Sequence, residues 1–241
     1  LYTEHYDAAM SLVWFDEPAP PRGEQLSRER IVAAAIALAD ADVRGEVTMR
    51  AVAAQVGSST PMSLYRYVGS KDGLADLMAD EVYGEIEVPA GDWRESLRGL
   101  GLSGWAAVQR HPWFARLAFS RPPLGPQALA LYDAALAALD GFDLGAAERM
   151  GAINTVLGHV FGSGLALLEE RAMRERAGMP TDEDLADAAR PYLQRITEEG
   201  RYPHFVRWAN DPARLDPAPQ SFERILEWLL DGIEGTLVGR G

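Results

Sequence analysis

Cysteine is absent from all 241 residues, lysine occurs once, at Lys71, and histidine is confined to His5, His111, His159 and His204. Without thiols the chain has no disulfide framework, no zinc–cysteine site and no cysteine nucleophile, a usage that fits a reducing, cytoplasmic setting. The four histidines are too scattered to define a metal cluster, so neither a metal site nor a cofactor is expected. Between Leu1 and Glu17 stand Glu4, Asp7, Asp16 and Glu17 but no basic residue, which excludes the basic start of a secretory signal. A Val/Ile-rich alternating run is also lacking, so essentially no sheet is expected. No repeat of solenoid period is present. G-x-S-x-G, Walker and H-E-x-x-H patterns are missing as well, and the chain reads as a non-enzyme.

What is present is a globular composition: 47% hydrophobic, 24% charged and 9% aromatic residues. One stretch, Gly151 to Leu168, runs without a charge for close to the length that spans a bilayer. It contains Asn154, Thr155, His159, Ser163 and four glycines, then continues into Glu169, Glu170 and Arg171. A buried helix of a soluble core is therefore expected, and no membrane partner. The net charge of -13 opposes nucleic-acid binding, because affinity for DNA rests on neutralising phosphates. Local charge reverses that expectation: from Val47 to Lys71 there is no acid, while Arg50, Arg66 and Lys71 are all basic.

Residues 1–25 hold Pro18, Pro20, Pro21 and Gly23 without sustained period and read as a poorly ordered arm, with one apolar anchor at Val13, Trp14 and Phe15. From Ser27, an N-cap, Ile31, Ala34, Ala35, Leu38 and Ala39 recur at helical spacing until about Gly45. Thr48 opens a second helix ended by Gly57. Thr60 and Pro61 open a third, ended by Gly69, and Ser70 caps the next. Two short helices joined by a tight turn have helix-turn-helix spacing. Beyond Ser70, helices are predicted over 70–87, 92–110, His111 to Phe119, 124–140, 143–175, 181–199 and 219–238. Leu129, Tyr132, Leu136 and Leu139 mark one face of the fourth. Gly99 to Gly104 formally matches G-x-G-x-x-G, but its helical flanks and the missing strand make it a packing feature or a break, not a cofactor loop.

In a helix-turn-helix the N-terminal residues of the recognition helix reach base edges, which assigns base reading to Pro61, Met62 and Ser63, with Met62 suited to a thymine methyl. Arg50 can reach a guanine or a phosphate. Thr48 and Tyr65 offer hydroxyls to phosphates, and Lys71 adds charge at a helix start. Packing in the small core is the alternative for Tyr65 and Tyr67. From Thr48-Met49-Arg50 through Leu64-Tyr65-Arg66-Tyr67-Val68-Gly69-Ser70-Lys71 the sequence resembles the TetR family of bacterial transcriptional repressors. His111-Pro112-Trp113, Arg121-Pro122-Pro123 and Phe222 to Leu237 are similar to a tetracycline-repressor type of C-terminal domain. By that resemblance Thr48, Arg50, Pro61, Met62, Ser63, Tyr65, Tyr67 and Lys71 match DNA-contact positions. The stretch from Gly57 to Leu64 is one residue longer than the family's spacing, through Ser58-Ser59-Thr60.

The resemblance implies an all-α protein: a three-helix DNA-binding domain over 26–72, then a helical effector-binding and dimerisation domain over 73–241. Its last and long helices would pair across a two-fold axis. Gly158, Gly162 and Ser163 are small enough for close helix approach. A homodimer presents two reading heads about one DNA turn apart and so prefers a palindromic operator on double-stranded DNA. Apolar walls with a few polar groups suit a small molecule, and the candidates are Trp105, Gln109, Trp113, Phe114, Tyr132, Asn154 and His159. The implied function is a ligand-responsive repressor released from its operator by a small apolar or amphipathic effector. The competing reading is a small-molecule sensor that has lost specific DNA binding and acts through protein partners.

Overall fold

The computed structural model describes residues 13–14, 26–42, 46–212 and 221–238. The arm expected over 1–25 lies outside these apart from Val13 and Trp14, as does the helix stop expected at Gly45. Among the described residues there are eleven α-helices and no strand, so the all-α reading holds. The chain forms two compact units, Leu1–Leu165 and Ala166–Gly241.

The first helices start where a side-chain oxygen can take a free amide. Ser27 accepts from Arg30 N–H to open α1 (Arg28–Ala41), and Thr48 accepts from Ala51 N–H to open α2 (Met49–Gln55). Gly57, at φ +72, then turns the chain in the left-handed region. The third element is not the continuous helix expected from Pro61. A 3-10 turn, Pro61–Ser63, leads through Leu64 into α3 (Tyr65–Val68), and Thr60 makes no side-chain cap. The reason is local: the Thr60 carbonyl is occupied by the Ser63 amide and hydroxyl, which tightens the first turn. Gly69, at φ +70, ends α3, and Ser70 caps α4 (Lys71–Tyr83) by accepting from Gly73 N–H at 2.8 Å.

Ile31, Val52, Leu64 and Val68 are fully buried and form the core of this head. α4 packs against α1, α3, α6 and α7. Gly73 lets α4 cross the preceding backbone, since a β-carbon there would lie 2.2 Å from the Val68 carbonyl oxygen. Val13 is buried beside the same glycine, as expected for an anchor.

The rest of the first unit consists of α5 (Trp93–Arg110), α6 (Phe114–Ser120), α7 (Pro126–Ala137) and the start of α8 (Ala146–Ala177). Gly99 to Gly104 lies inside uninterrupted α5, and a β-carbon on Gly104 would stand 3.2 Å from Val160 Cγ1 on α8. That glycine spacing therefore serves packing. Ala128, Leu131 and Ala135 form the buried face of α7 together with Leu139 just beyond it, whereas Leu129 is 52% exposed. Of the face read from sequence, Leu139 is buried, Tyr132 and Leu136 are half-buried and Leu129 is exposed, so the buried stripe is turned toward the alanines, which let α7 approach its neighbours closely. Phe114, Tyr83 and Phe161 meet edge to face, with Tyr83 and Phe114 centroids 4.9 Å apart. α8 is long and apolar enough to cross a bilayer by length and composition. Within the first unit it also buries Ile153, Val156, Leu157, Val160 and Phe161.

The second unit holds the end of α8, then α9 (Asp182–Glu198), α10 (Pro203–Ala209) and α11 (Phe222–Val238). Thr181 and Asp184 form a reciprocal capping box at the start of α9. α10 was not anticipated from the sequence. It follows Tyr202, a non-glycine residue at φ +54, and packs on α9.

Candidate nucleic-acid interface and effector cleft

The expected DNA contacts all lie in the stretch from Thr48 to Lys71. Met62 is 74% exposed, an extreme value for a large apolar side chain. It sits on the 3-10 turn with half-buried Pro61 and Ser63 beside it. Arg50 and Lys71 are exposed in the first turns of α2 and α4, Thr48 is exposed, and Tyr65 is half-buried. All seven are thus at least partly open to solvent, and Thr48 and Lys71 line one cavity. Tyr67 stands apart: its ring is 2% exposed and its hydroxyl is buried without a hydrogen-bond partner among the described residues. Its carbonyl accepts from Arg28 Nε at 2.8 Å.

The lengthened turn is closed by hydroxyls. Ser63 Oγ donates to the Thr60 carbonyl at 2.7 Å, and Ser58 Oγ lies 2.5 Å from Ser63 Oγ and 3.2 Å from that same carbonyl. The sequence showed the extra residue but not that Ser58 and Ser63 meet.

Seven residues were candidates for the effector site, and the structure brings together two of them. Tyr132 and Asn154 line a cleft of about 830 Å3 with Pro123, Leu129, Leu136 and Met150, and with Ala130 and Asp133 at its wall. Burial pushes the Tyr132 phenol above its ordinary range, so at neutral pH it is a neutral donor. Trp113 instead lines a separate cavity of about 470 Å3 with Met49, Lys71, Leu74 and Met78. Phe114 is fully buried in the aromatic cluster. Trp105 is half-buried and Gln109 exposed on α5. His159, half-buried on α8, has Nδ1 3.4 Å from Ser163 Oγ. Among the cleft residues missed from sequence, Leu129 and Leu136 had been read as part of one helix face, and Met150 carried no signal that set it apart.

Two polar links tie α4 to this region. Asp80, 7% exposed, accepts from Ala128 N–H at 2.9 Å and from Gln127 N–H at 3.3 Å, capping α7 from another helix. Its burial raises the carboxyl above the usual carboxylate range, while the two amides pull it back. Arg121 spans Asp76, at 2.7 Å, and Asp72, at 2.5 Å, both on α4. A third polar cluster joins α1 to the start of α6. Asp40 Oδ1 lies 2.8 Å from His111 Nδ1 and accepts from Trp113 Nε1 at 2.7 Å. His111 Nε2 lies 3.2 Å from Glu85 Oε1 without the geometry of a hydrogen bond.

A helix-turn-helix head with an exposed apolar side chain on its third element, beside helices that line an open mixed polar and apolar cleft, defines the architecture of a DNA-binding regulator of transcription. Comparison with known proteins gives the family. Residues 87–237 match the tetracyclin repressor-like C-terminal domain. The chain is 35% identical over 231 residues to the HTH-type transcriptional repressor DrrR1 of Streptomyces coeruleorubidus, covering 93% of this chain and 84% of that one. It is 31% identical over 238 residues to an HTH-type transcriptional regulator of Saccharopolyspora erythraea, covering 97% and 96%. Among solved structures, apo ActR of Streptomyces coelicolor superimposes with a TM-score of 0.71 at 26% identity, over 90% of this chain and 99% of that one. ActR is also known in complex with actinorhodin and with (S)-DNPA. The chain belongs to the TetR family, whose members regulate transcription and are not enzymes.

Proposed function

We propose that this chain is a cytoplasmic repressor that holds a palindromic operator as a homodimer and releases it when a small amphipathic effector enters the cleft between α7 and α8. The observation that carries the reading is Met62, 74% exposed between Pro61 and Ser63 and flanked by exposed Arg50 and Lys71, in the one acid-free stretch of the head. An apolar side chain left that open on a solvated head suits contact with base methyl groups, with cations alongside for phosphates. Functionally, 26–72 is the DNA-binding part and 73–241 the effector and dimer part. Thr48, Arg50, Pro61, Met62, Ser63, Tyr65 and Lys71 face the duplex, and Tyr67 supports them from within.

Dimerisation is supported by α8. Gly151, Gly158 and Gly162 each have open space where a β-carbon would stand, as a close helix partner requires. The effector acts through α7, whose amino end is held by Asp80 of α4, the helix that packs on the head. Relatives at comparable identity support both activities, one named a repressor and one solved with bound small molecules.

Selection of bound sequences from random duplex DNA at fixed salt tests the reading. A palindrome should emerge. Arg50→Ala should relax specificity at about 1–3 kcal/mol, while Lys71→Ala lowers affinity uniformly and flattens the salt slope. The second reading, a sensor acting through protein partners, is favoured by the exposed Tyr192, Tyr202, Phe205 and Trp208 of the second unit. Failure to enrich any sequence would select it.

A further inference from the structure

The hydroxyl cluster in the lengthened turn constrains what the reading face can recognise. Ser63 Oγ has two short oxygen contacts, 2.5 Å to Ser58 Oγ and 2.7 Å to the Thr60 carbonyl. Each contact requires a proton between its oxygens, because two lone pairs at that distance repel. The carbonyl has no proton to give. Ser63 therefore donates to Thr60, and the proton of the 2.5 Å contact comes from Ser58, leaving the 3.2 Å contact from Ser58 to Thr60 as the weak one. Ser63 has then spent its only proton inside the protein and received one hydrogen bond. One lone pair remains, on a side chain that is only half-buried.

We infer that Ser58 is a positioning residue that locks Ser63 as an acceptor, so that Ser63 selects an amino group over a keto group on the base beneath it. This deepens the proposed DNA reading and rests on it. In the major groove, adenine N6 and cytosine N4 carry amino donors, whereas guanine O6 and thymine O4 only accept. A freely rotating serine hydroxyl serves either kind of base. A serine whose proton is committed to the Thr60 carbonyl serves only the amino bases and meets the keto bases lone pair to lone pair. Pro61 and Met62, which precede it in the same turn, have no side-chain donor. The three-residue reading turn therefore carries an apolar contact and a single acceptor, with no side-chain donor. The residue that reinforces this commitment, Ser58, lies in the turn before the reading element and needs no contact with DNA.

The test uses the full chain. Random-duplex selection is run with wild type, Ser58→Ala, Ser58→Thr and Ser63→Ala, each first checked by thermal unfolding for an intact fold. The best wild-type site is then titrated with its preferred amino base replaced, one position at a time, by the corresponding keto base. At one position per half-site, wild type and Ser58→Thr should prefer the amino base by about 3- to 10-fold. Ser58→Ala should weaken that preference with overall affinity nearly kept, since Ser63 loses the donation that polarises and fixes its own bond to the Thr60 carbonyl. Ser63→Ala should lose it entirely. An enriched wild-type site combined with a uniform drop in affinity for Ser58→Ala, all base preferences intact, would overturn this inference and leave the repressor reading standing. If wild type enriches no sequence, the repressor reading itself fails and the inference falls with it.

Discussion

Gly125 lies so close beneath Asp80 that a β-carbon on it would stand 2.2 Å from Oδ1. The residue before α7 thus lacks a side chain for the same reason that α7 needs an outside cap. Pro126 has no amide hydrogen, Gly125 has no capping oxygen, and the first free amides, of Gln127 and Ala128, are taken by Asp80. Asp80→Ala should destabilise the protein by about 1–2 kcal/mol in urea denaturation. Gly125→Ala should cost about 1–3 kcal/mol through overpacking.

The same carboxyl gives a pH signature. Burial raises the Asp80 pKa in the folded state, so the folded chain binds this proton at higher pH than the unfolded chain does. The contribution of Asp80 to stability is then largest below the unfolded value, near about 3.9, and falls as pH climbs to the raised folded value. Above that it is flat. Asp80→Asn removes the titration, so the stability of this variant relative to wild type should rise across that window and level off beyond it. Parallel urea titrations at stepped pH measure the difference, and equal slopes for the two proteins would contradict it.

His111 and Trp113 share one oxygen of Asp40. Replacing either one weakens a buried link to α1, and replacing both removes the same link once. His111→Ala and Trp113→Phe should each cost about 1–3 kcal/mol, and the double variant should cost less than the sum by at least about 0.5 kcal/mol. A double-mutant cycle by chemical denaturation gives the coupling directly.

Two glycines of α8 should respond oppositely to alanine. A β-carbon on Gly164 would lie 2.1 Å from Val108 Cγ1 and 3.1 Å from Ala115 Cβ, so Gly164→Ala should lose about 1–3 kcal/mol. Gly158 faces open space within the chain. Gly158→Ala should raise the intrinsic stability of the helix by about 0.8–1 kcal/mol yet weaken self-association, if that open face seats a second copy. Sedimentation equilibrium together with dilution-dependent melting separates the two effects. An unweakened dimer would place the interface elsewhere.

Filling the cleft tests its role. Ala130 is exposed at the wall beside Tyr132 and Asn154, so Ala130→Trp should fold normally while occupying the space. Across a panel of amphipathic small molecules, wild type should show melting shifts with some compounds, and operator release should follow the same compounds. The variant should show neither and should stay on DNA. Unchanged shifts in the variant would move the effector to another cavity.

What was legible in the sequence was local. Ser27, Thr48 and Ser70 open helices with their own hydroxyls, and Gly57 and Gly69 end segments because they alone accept positive φ there. Those signals act within four residues, so no tertiary knowledge is needed to find them. The orientation of α7 was not legible. Its leucines repeat as well as its alanines do, and only the closeness of neighbouring helices decides that Ala128 and Ala135 go inward while Leu129 lines a cleft. Asp80 and His111 reach partners 48 and 71 residues away, distances over which a single sequence carries no pairing signal. The acid-free stretch from Thr48 to Lys71 was legible because it is continuous in the sequence. The gathering of Tyr132 with Asn154, and the dispersal of the other effector candidates, depended on how whole helices pack.

Lys71 stands exposed at the opening of α4, just after the proposed reading element, and it is the only lysine in the sequence. Within this sequence, lysine-directed chemistry is therefore confined to that side chain, with no engineering required. A fluorophore, a biotin or an acetyl group delivered to lysine reports on one position, and protection of that position by duplex DNA can be read as a single mass increment. The scarcity that arginine-rich composition imposes on the chain thus turns its proposed DNA face into a ready-made footprinting probe.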